Sequence, residues 1–158
     1  MQFLTHSVTR AIHRHTARTV RMMGVLLCLA LVHAAPARAD DSLYQALGGQ
    51  DGIVHITDDF VANLLADPRT SPYFEGVTIK RLKGKLSEEF CVLSGGPCVY
   101  TGRPIKRAHE GLKIDRAAFD ALVEDLQKSM DKHDIPFHTQ NKFLALLAPM
   151  YRDVEDHD

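Results

Sequence analysis

The loop at residues 95–103 constrains the fold of this chain more than any other stretch of its sequence. The loop begins with Gly-Gly-Pro and contains a further glycine at 102. One helix must therefore end here, and the next cannot start before about Pro104. Pro104 suits the opening of a short helix, and Gly111 suits its end because glycine tolerates the left-handed conformation just past a helix. The pattern therefore predicts that His109 lies on a brief, stiffly mounted helical turn with apolar flanks.

A histidine in such a position has two chemical interpretations. A neutral imidazole in apolar surroundings is what an axial iron ligand requires. A buried histidine bonded to a backbone carbonyl is the structural alternative, and spacing alone favours it. His55 lies off an apolar stripe, and His133 lies at a helix end. His138 precedes a helix, and His157 lies in the acidic tail. His109 is thus the candidate metal ligand.

Residues 1–39 have the pattern of a secretory signal peptide. Four arginines between residues 10 and 21 form a basic head without acidic residues, and an apolar run follows over 22–35. That run is shorter than the ~20 residues needed to span a bilayer, and the Ala-Arg-Ala at 37–39 fits the small-x-small cleavage rule. We expect a signal peptide at 1–39, a mature domain at 40–158 and a periplasmic location; a retained membrane anchor is the alternative.

Charge argues against one class of partner. The chain carries 19 basic and 20 acidic residues, and the predicted signal peptide holds five of the basic residues and none of the acidic ones. Removing 39 of the 158 residues leaves 119, with 14 basic against 20 acidic side chains and a net charge of −6. We therefore expect a monomer in an aqueous compartment, with no nucleic-acid partner and no membrane attachment after cleavage.

Two cysteines remain in the mature domain, Cys91 and Cys98, because Cys28 lies in the predicted signal peptide. In an oxidising compartment such a pair favours a disulfide, and the glycines and proline between them allow the ~4.4–6.8 Å Cα separation that a bridge needs. Two reduced, packed thiols are the alternative. A zinc site is less favoured, because no histidine lies at finger spacing.

The mature chain reads as helices throughout, so the predicted fold class is all-α. No stretch alternates apolar and polar residues in a sustained way, as half-buried strands do. Apolar residues instead recur at three- and four-residue steps. After a short helix at 41–47, this spacing predicts longer helices that open at Asp51, after a Thr78 cap, after an Asp115 cap and at about Thr139.

Several motifs, taken together and in order, resemble the truncated haemoglobins of the first group. They are SLYQALGG at 42–49, DDF at 58–60 with LAD at 65–67, Phe74, LKGK at 82–85, GGP at 95–97, YTG at 100–102, the histidine followed by Gly111, and AP at 148–149. The similarity covers nearly all of residues 41–154. It implies a globin-like two-over-two helical sandwich that holds haem b, iron protoporphyrin IX, with His109 as the proximal iron ligand.

The resemblance also implies which other side chains contact the haem and its ligand. The expected haem contacts are Phe74, Leu82, Lys85, Leu86, Phe90, Tyr100, Arg103, Ile105, Phe119 and Leu122, and the expected ligand pocket is Phe60, Val61, Leu82 and Leu86. Loop scaffolding is an equal alternative for Tyr100, and ordinary core packing is an equal alternative for Phe119 and Leu122.

The ligand side departs from the family pattern. Many members have tyrosine at the position of Val61 and glutamine at that of Leu86, and both donate hydrogen bonds to dioxygen; the aliphatic residues here cannot. Such a bond to a partly charged ligand is worth roughly 1.5–3 kcal/mol, or about 10- to 150-fold in an equilibrium constant. We expect an apolar pocket, fast oxygen release and easy iron oxidation. The alternative is that a water or Thr57 supplies the bond.

Lys85 has two interpretations under the same resemblance. Its ammonium group pairs with a haem propionate, or a neutral amine binds the iron as a sixth ligand, because burial lowers the pKa of a lysine. Some relatives use a residue at this position as a ligand.

The sequence is compatible with three functions. The leading one is a haem protein that reversibly binds oxygen, carbon monoxide or nitric oxide, as a carrier rather than an enzyme. The second is a nitric oxide dioxygenase or peroxidase-type enzyme served by a separate, unidentified reductase, which the lack of distal donors weakens. The third is a gas sensor in which the thiol pair alters the loop that carries His109.

Overall fold

The computed structural model describes residues 42–155, and the predicted signal peptide and the predicted mature start at Asp40 lie outside these residues. Within them the chain forms helices and no strand, so the all-α prediction is confirmed. The helices are α1 (Ser42–Ala46), α2 (Gly49–Ala66), α3 (Ile79–Leu93), α4 (Ile105–His109), α5 (Arg116–Lys132), α6 (Phe137–Leu147) and α7 (Tyr151–Val154), with 3-10 turns at Ser71–Phe74 and Ala148–Met150.

Two helix boundaries differ from the sequence prediction. Helix α2 begins at Gly49 rather than Asp51, because Gly48 adopts a left-handed conformation (φ 89°) that turns the chain out of α1 directly into the next helix. Helix α6 begins at Phe137, straight after Pro136, and not at Thr139. The predicted last helix is also divided by a 3-10 turn at Pro149, whose missing N–H cannot continue the α-helical ladder.

The two predicted caps have different outcomes. The Asp115 carboxylate accepts a hydrogen bond from the Ala118 amide at 2.8 Å, so the cap of α5 is confirmed. Thr78 occupies the cap position of α3 but its side chain makes no capping hydrogen bond. Helix α3 therefore relies on packing more than on its first turn.

The core forms where α2 packs against α3 on one side and against α5 on the other. An aromatic series crosses it: the Phe60 and Phe90 rings lie 6.0 Å apart, and Phe90 meets Phe143 edge-on at 5.0 Å. All three rings are almost fully buried. This packing fixes α3 against the centre of the domain.

Cys91 and Cys98 are joined by a disulfide, with their Cα atoms 5.8 Å apart. Cys91 is fully buried at the end of α3, whereas Cys98 lies in the loop that follows. The bond therefore ties the C-terminal end of α3 to the loop that leads to α4.

Across residues 42–155, no helix combines the length and the apolar character that crossing a membrane would require.

Candidate functional site

A cavity of about 470 Å³ lies between α3, α4 and the start of α5, and this volume is within the usual range for cofactor sites. Most of the side chains that the sequence predicted as haem contacts line it. These are Phe74, Leu82, Lys85, Leu86, Tyr100, Arg103, Ile105, His109, Phe119 and Leu122. The structure thus brings together residues that are up to 48 positions apart in the sequence, between 74 and 122.

His109 presents one ring nitrogen with a free lone pair. Its Nδ1 atom lies 2.8 Å from the carbonyl oxygen of Ile105. A carbonyl can only accept, so Nδ1 carries the proton, and in the neutral ring Nε2 is left unprotonated. The carbonyl bond of the structural alternative is therefore present, although His109 is half-buried and not buried; its role as a metal ligand stays a prediction, which such a bond would support by orienting the ring.

Two helices supply apolar side chains to the cavity lining. Leu82 and Leu86 come from successive turns of α3, while Phe119 and Leu122 come from α5. Phe119 also meets the Tyr151 ring edge-on at 4.8 Å, which fixes its orientation. Apolar side chains of α3 and α5 and the His109 imidazole thus line the same cavity.

Cationic side chains belong to the lining as well. Arg81 and Arg103 both line the cavity, and Arg81 is a contact that the sequence analysis missed. An arginine can pair with a carboxylate through two parallel hydrogen bonds. These groups suit a flat apolar ligand that carries carboxylates at one edge.

Lys85 lines the cavity, but its ammonium group is already engaged. It donates to the Glu88 carboxylate at 2.7 and 2.9 Å and also to the Thr101 hydroxyl. Glu88 in turn accepts from the backbone amide of Thr101 at 2.9 Å. This Lys85–Glu88–Thr101 tie joins α3 to the loop, and an ammonium held in this way has no lone pair to offer a metal.

The tie has an electrostatic consequence at Glu88. The Lys85 ammonium, followed by the hydrogen bonds from Thr101, lowers the pKa of the Glu88 carboxyl to about 2. Glu88 is therefore ionised at any pH where the protein is expected to work. The contact was not visible in the sequence, because Lys85 and Thr101 are separated by 16 residues.

Tyr100 has a defined role in the loop. Its hydroxyl donates to the carbonyl oxygen of Arg103 at 2.8 Å while the side chain lines the cavity. Burial, together with the negative charges of Glu89 and Glu88, raises the pKa of the phenol. Tyr100 therefore serves as loop scaffold and cavity wall together, and it stays protonated.

Three residues expected near the haem or its ligand do not line the cavity. Phe60, Val61 and Phe90 are each at most 3% exposed, in the core formed by α2 and α3. The aromatic packing agrees with this placement, because Phe60 packs on Phe90 and Phe90 meets Phe143 of α6 edge-on. Of the four predicted ligand-pocket residues, Leu82 and Leu86 reach the cavity.

Thr57 is a buried polar group without a partner. Its side chain is fully buried, and its hydroxyl makes no hydrogen bond within the described residues. It lies one turn before Val61 in α2, and it does not line the cavity. The alternative that Thr57 supplies a bond to a ligand thus remains a prediction.

The residues present fit an iron porphyrin. The cavity offers two apolar walls for the ring faces, cationic side chains for its propionates and one imidazole lone pair for the metal. His109 would hold the iron, and Arg81 and Arg103 would hold the carboxylates. No cluster of three or more histidine, cysteine or acidic side chains that could hold a metal ion occurs in residues 42–155.

Comparisons with known proteins agree with this geometry. Residues 42–156 match the bacterial-like globin family. The group 1 truncated hemoglobin GlbN of Mycolicibacterium paratuberculosis is 32% identical over 113 residues, which are 72% of this chain and 83% of that protein. The group 1 truncated hemoglobin of Tetrahymena thermophila is 31% identical over 94 residues, or 59% of this chain and 77% of the relative.

Solved structures show the same fold. The truncated hemoglobin of Tetrahymena pyriformis in its Fe(III) form superposes with a TM-score of 0.71 at 23% identity, covering 73% of this chain and 98% of that one. The 2/2 hemoglobin of Synechococcus, in the cyanomet state with covalently attached heme, gives a TM-score of 0.67 at 22% identity over 71% of this chain and 96% of that one. The two-over-two helical sandwich predicted from the sequence is therefore confirmed.

Proposed function

Because this chain belongs to the bacterial-like globin family as a group 1 truncated haemoglobin, it binds haem b and, through it, diatomic gases; we propose that it does so as a reversible carrier that releases oxygen quickly. Haem supplies the redox-active iron at which a diatomic gas binds. The chain supplies the imidazole that holds the metal and the walls that exclude water.

The character of the α3 wall carries this proposal. Leu86 stands in α3 where many members of the family carry glutamine, and neither it nor the neighbouring Leu82 can donate a hydrogen bond to a ligand with partial negative charge. Oxygen depends on such donors more than carbon monoxide does. A protein with this wall should therefore load oxygen weakly and release it fast.

The test is an absorption and stopped-flow study of the purified protein after haem loading. We expect a Soret band, a five-coordinate high-spin ferrous spectrum without added ligand, and oxygen dissociation faster than nitric oxide consumption under turnover with a reductant. A six-coordinate ferrous spectrum would instead show a sixth ligand from the protein or solvent, and Lys85 could be that ligand only if it left Glu88 and lost its proton. Nitric oxide consumption that outpaces oxygen release would replace the carrier with a dioxygenase.

One observation favours a second function, a thiol-linked gas sensor. The Cys91–Cys98 disulfide joins α3 to the loop that leads to His109, so its reduction would remove one of the two ties between them and leave the Lys85–Glu88–Thr101 tie. Gas association and dissociation rates measured before and after reduction decide this point. Identical rates in the two states would end the sensor hypothesis.

We further propose that the protein works in the periplasm as a monomer, with its iron kept reduced by a separate reductase. The supporting observations are the signal-peptide pattern at residues 1–39 and the net charge of −6 that its removal leaves. Fractionation of expressing cells, with N-terminal sequencing and a sedimentation measurement, tests this directly. A cytoplasmic pool that retains residue 1 would contradict export.

A further inference from the structure

One carboxylic acid lines the cavity without a partner. Glu89 follows Leu86 by three positions and Leu82 by seven, so the helical repeat places all three on one face of α3, and all three line the cavity. The neighbouring Glu88 pairs with Lys85 and Thr101, whereas no hydrogen bond or ion pair in residues 42–155 involves the Glu89 carboxyl. Burial raises the pKa of this group.

The other charged and titratable groups around the cavity cannot accept a proton there. Arg81 from α3 and Arg103 from the loop are permanently charged donors with no acceptor atom. Lys85 is occupied by its carboxylate partner, and the hydroxyl of Tyr100 donates to a carbonyl.

Two groups remain to be considered. His109 would use its free nitrogen for the metal, and Tyr73, in the 3-10 turn, offers a phenol hydroxyl and no carboxylate. Glu89 is therefore the cavity's one candidate Brønsted base among the described residues.

We propose that the Glu89 carboxylate accepts the proton of weak-acid ligands that enter the cavity and bind ferric iron as anions. This inference rests on the proposed function, because it requires haem in the cavity. The ligands concerned are small protic acids such as hydrogen cyanide, hydrogen sulfide and hydrogen peroxide, and the inference assigns the group that takes their proton.

The proton balance is simple. A neutral acid HX enters an apolar cavity more readily than its anion, because desolvating a charge is costly. The H–X bond breaks, its proton passes to a Glu89 carboxylate oxygen, and the electron pair left on X binds the ferric iron. No electron is transferred, and the net charge of protein plus ligand is unchanged.

The direction of the pH dependence follows from the base. Protonated Glu89 cannot accept a proton, so the association rate of hydrogen cyanide should rise with pH through the elevated pKa of Glu89 and then level off. General-base assistance is worth roughly 10²–10⁴-fold when well placed. We expect Glu89→Gln to slow cyanide association at pH 7 by at least about tenfold and to remove the rise with pH.

Stopped-flow cyanide binding to the ferric holoprotein, followed in the Soret band, measures this. Carbon monoxide binding to the ferrous form is the internal control, because that ligand carries no proton and its rate should change less than about twofold. Glu75→Gln removes an exposed carboxyl next to the cavity lining and is the matched control for net charge; its cyanide rates should equal those of the wild type.

A second readout needs no variant. In wild-type protein, the infrared carbonyl band of a protonated carboxyl should disappear with the same pKa that governs the cyanide rate. A wild-type cyanide rate independent of pH, or equal rates in wild type and Glu89→Gln, overturns the proposal. Absence of a Soret band in the wild type would instead overturn haem binding, so the two failures are distinct.

Discussion

Two helices that line the cavity, α3 and α4, are held in opposite ways. Helix α3 has 15 residues, buries Phe90 and Cys91 in the core, and is tied to the following loop by a disulfide and by the Lys85–Glu88–Thr101 tie. Helix α4 has five residues, buries none of them, and has no side-chain cap. The hydrogen bond of His109 joins it only to the carbonyl of its own first residue.

This contrast indicates that α3 and α4 have different roles at the cavity. The α3 wall is formed by the protein itself and sets the chemistry that a ligand meets. The α4 wall lacks comparable attachments, so we expect the bond between His109 and haem iron to supply much of what holds it. The following predictions test this difference between α3 and α4.

The largest effect is expected for His109→Ala. Without the imidazole, haem loses its protein ligand and α4 loses its anchor, so the protein should no longer retain haem through gel filtration, as judged by the Soret band. His55→Ala, which removes an exposed histidine outside the cavity lining, should retain it fully. Unchanged haem retention in His109→Ala would show that α4 does not depend on the iron bond.

Removing the disulfide should be the next largest change. Cys91→Ser with Cys98→Ser should lower the free energy of unfolding by about 2–4 kcal/mol, because the unfolded chain gains freedom and α3 loses its covalent tie to the loop. Chemical denaturation measures this, and reduced wild type should match the double variant. A loss well under 1 kcal/mol would mean that packing alone fixes the end of α3.

Leu86→Gln tests the chemistry of the α3 wall. A donor at this position should slow oxygen dissociation by about 10- to 150-fold, because a hydrogen bond to the partly charged oxygen ligand is worth roughly 1.5–3 kcal/mol. Leu86→Met has a similar volume and no donor, and should leave the rate nearly unchanged. If the glutamine variant releases oxygen at the wild-type rate, Leu86 does not face the ligand.

The smallest effect concerns acid stability through Glu88. Its pKa of about 2 in the folded protein lies below its ordinary value of 4.5, so its contribution to stability is present above pH 4.5 and is lost as pH falls toward 2. Glu88→Gln should remove that part of the acid dependence and leave an otherwise similar curve. Glu75→Gln is the control, because it replaces an exposed carboxyl outside the Lys85–Glu88–Thr101 tie; its stability should fall with acid as that of the wild type does.

Local rules predicted most of the fold. Three- and four-residue apolar spacing located the long helices, Asp115 was identified as a cap, and Gly111, with φ of 77°, ends α4 as its residue type suggested. Where boundaries were wrong, a neighbouring residue had the stronger effect: Gly48 set the start of α2 and Pro136 that of α6.

The site was predicted less completely, because it depends on contacts between distant residues. Periodicity could not show that Phe60 and Phe90 pack on each other in the core instead of lining the cavity. Nor could it show that Glu88 meets Thr101 across the loop. Glu89 was overlooked although the seven-residue spacing from Leu82 places it on the cavity face; a polar residue on an otherwise apolar stripe was the available signal.

The short span between Cys91 and Cys98 bears on how the chain would mature if it is exported as proposed. If cleavage leaves Asp40 first, these are the only thiols left, so oxidation has a single intramolecular product and cannot scramble. A ring closed over seven residues forms without waiting for distant segments to meet. The protein should therefore reach its correctly bridged form without help from a disulfide isomerase, before any porphyrin arrives.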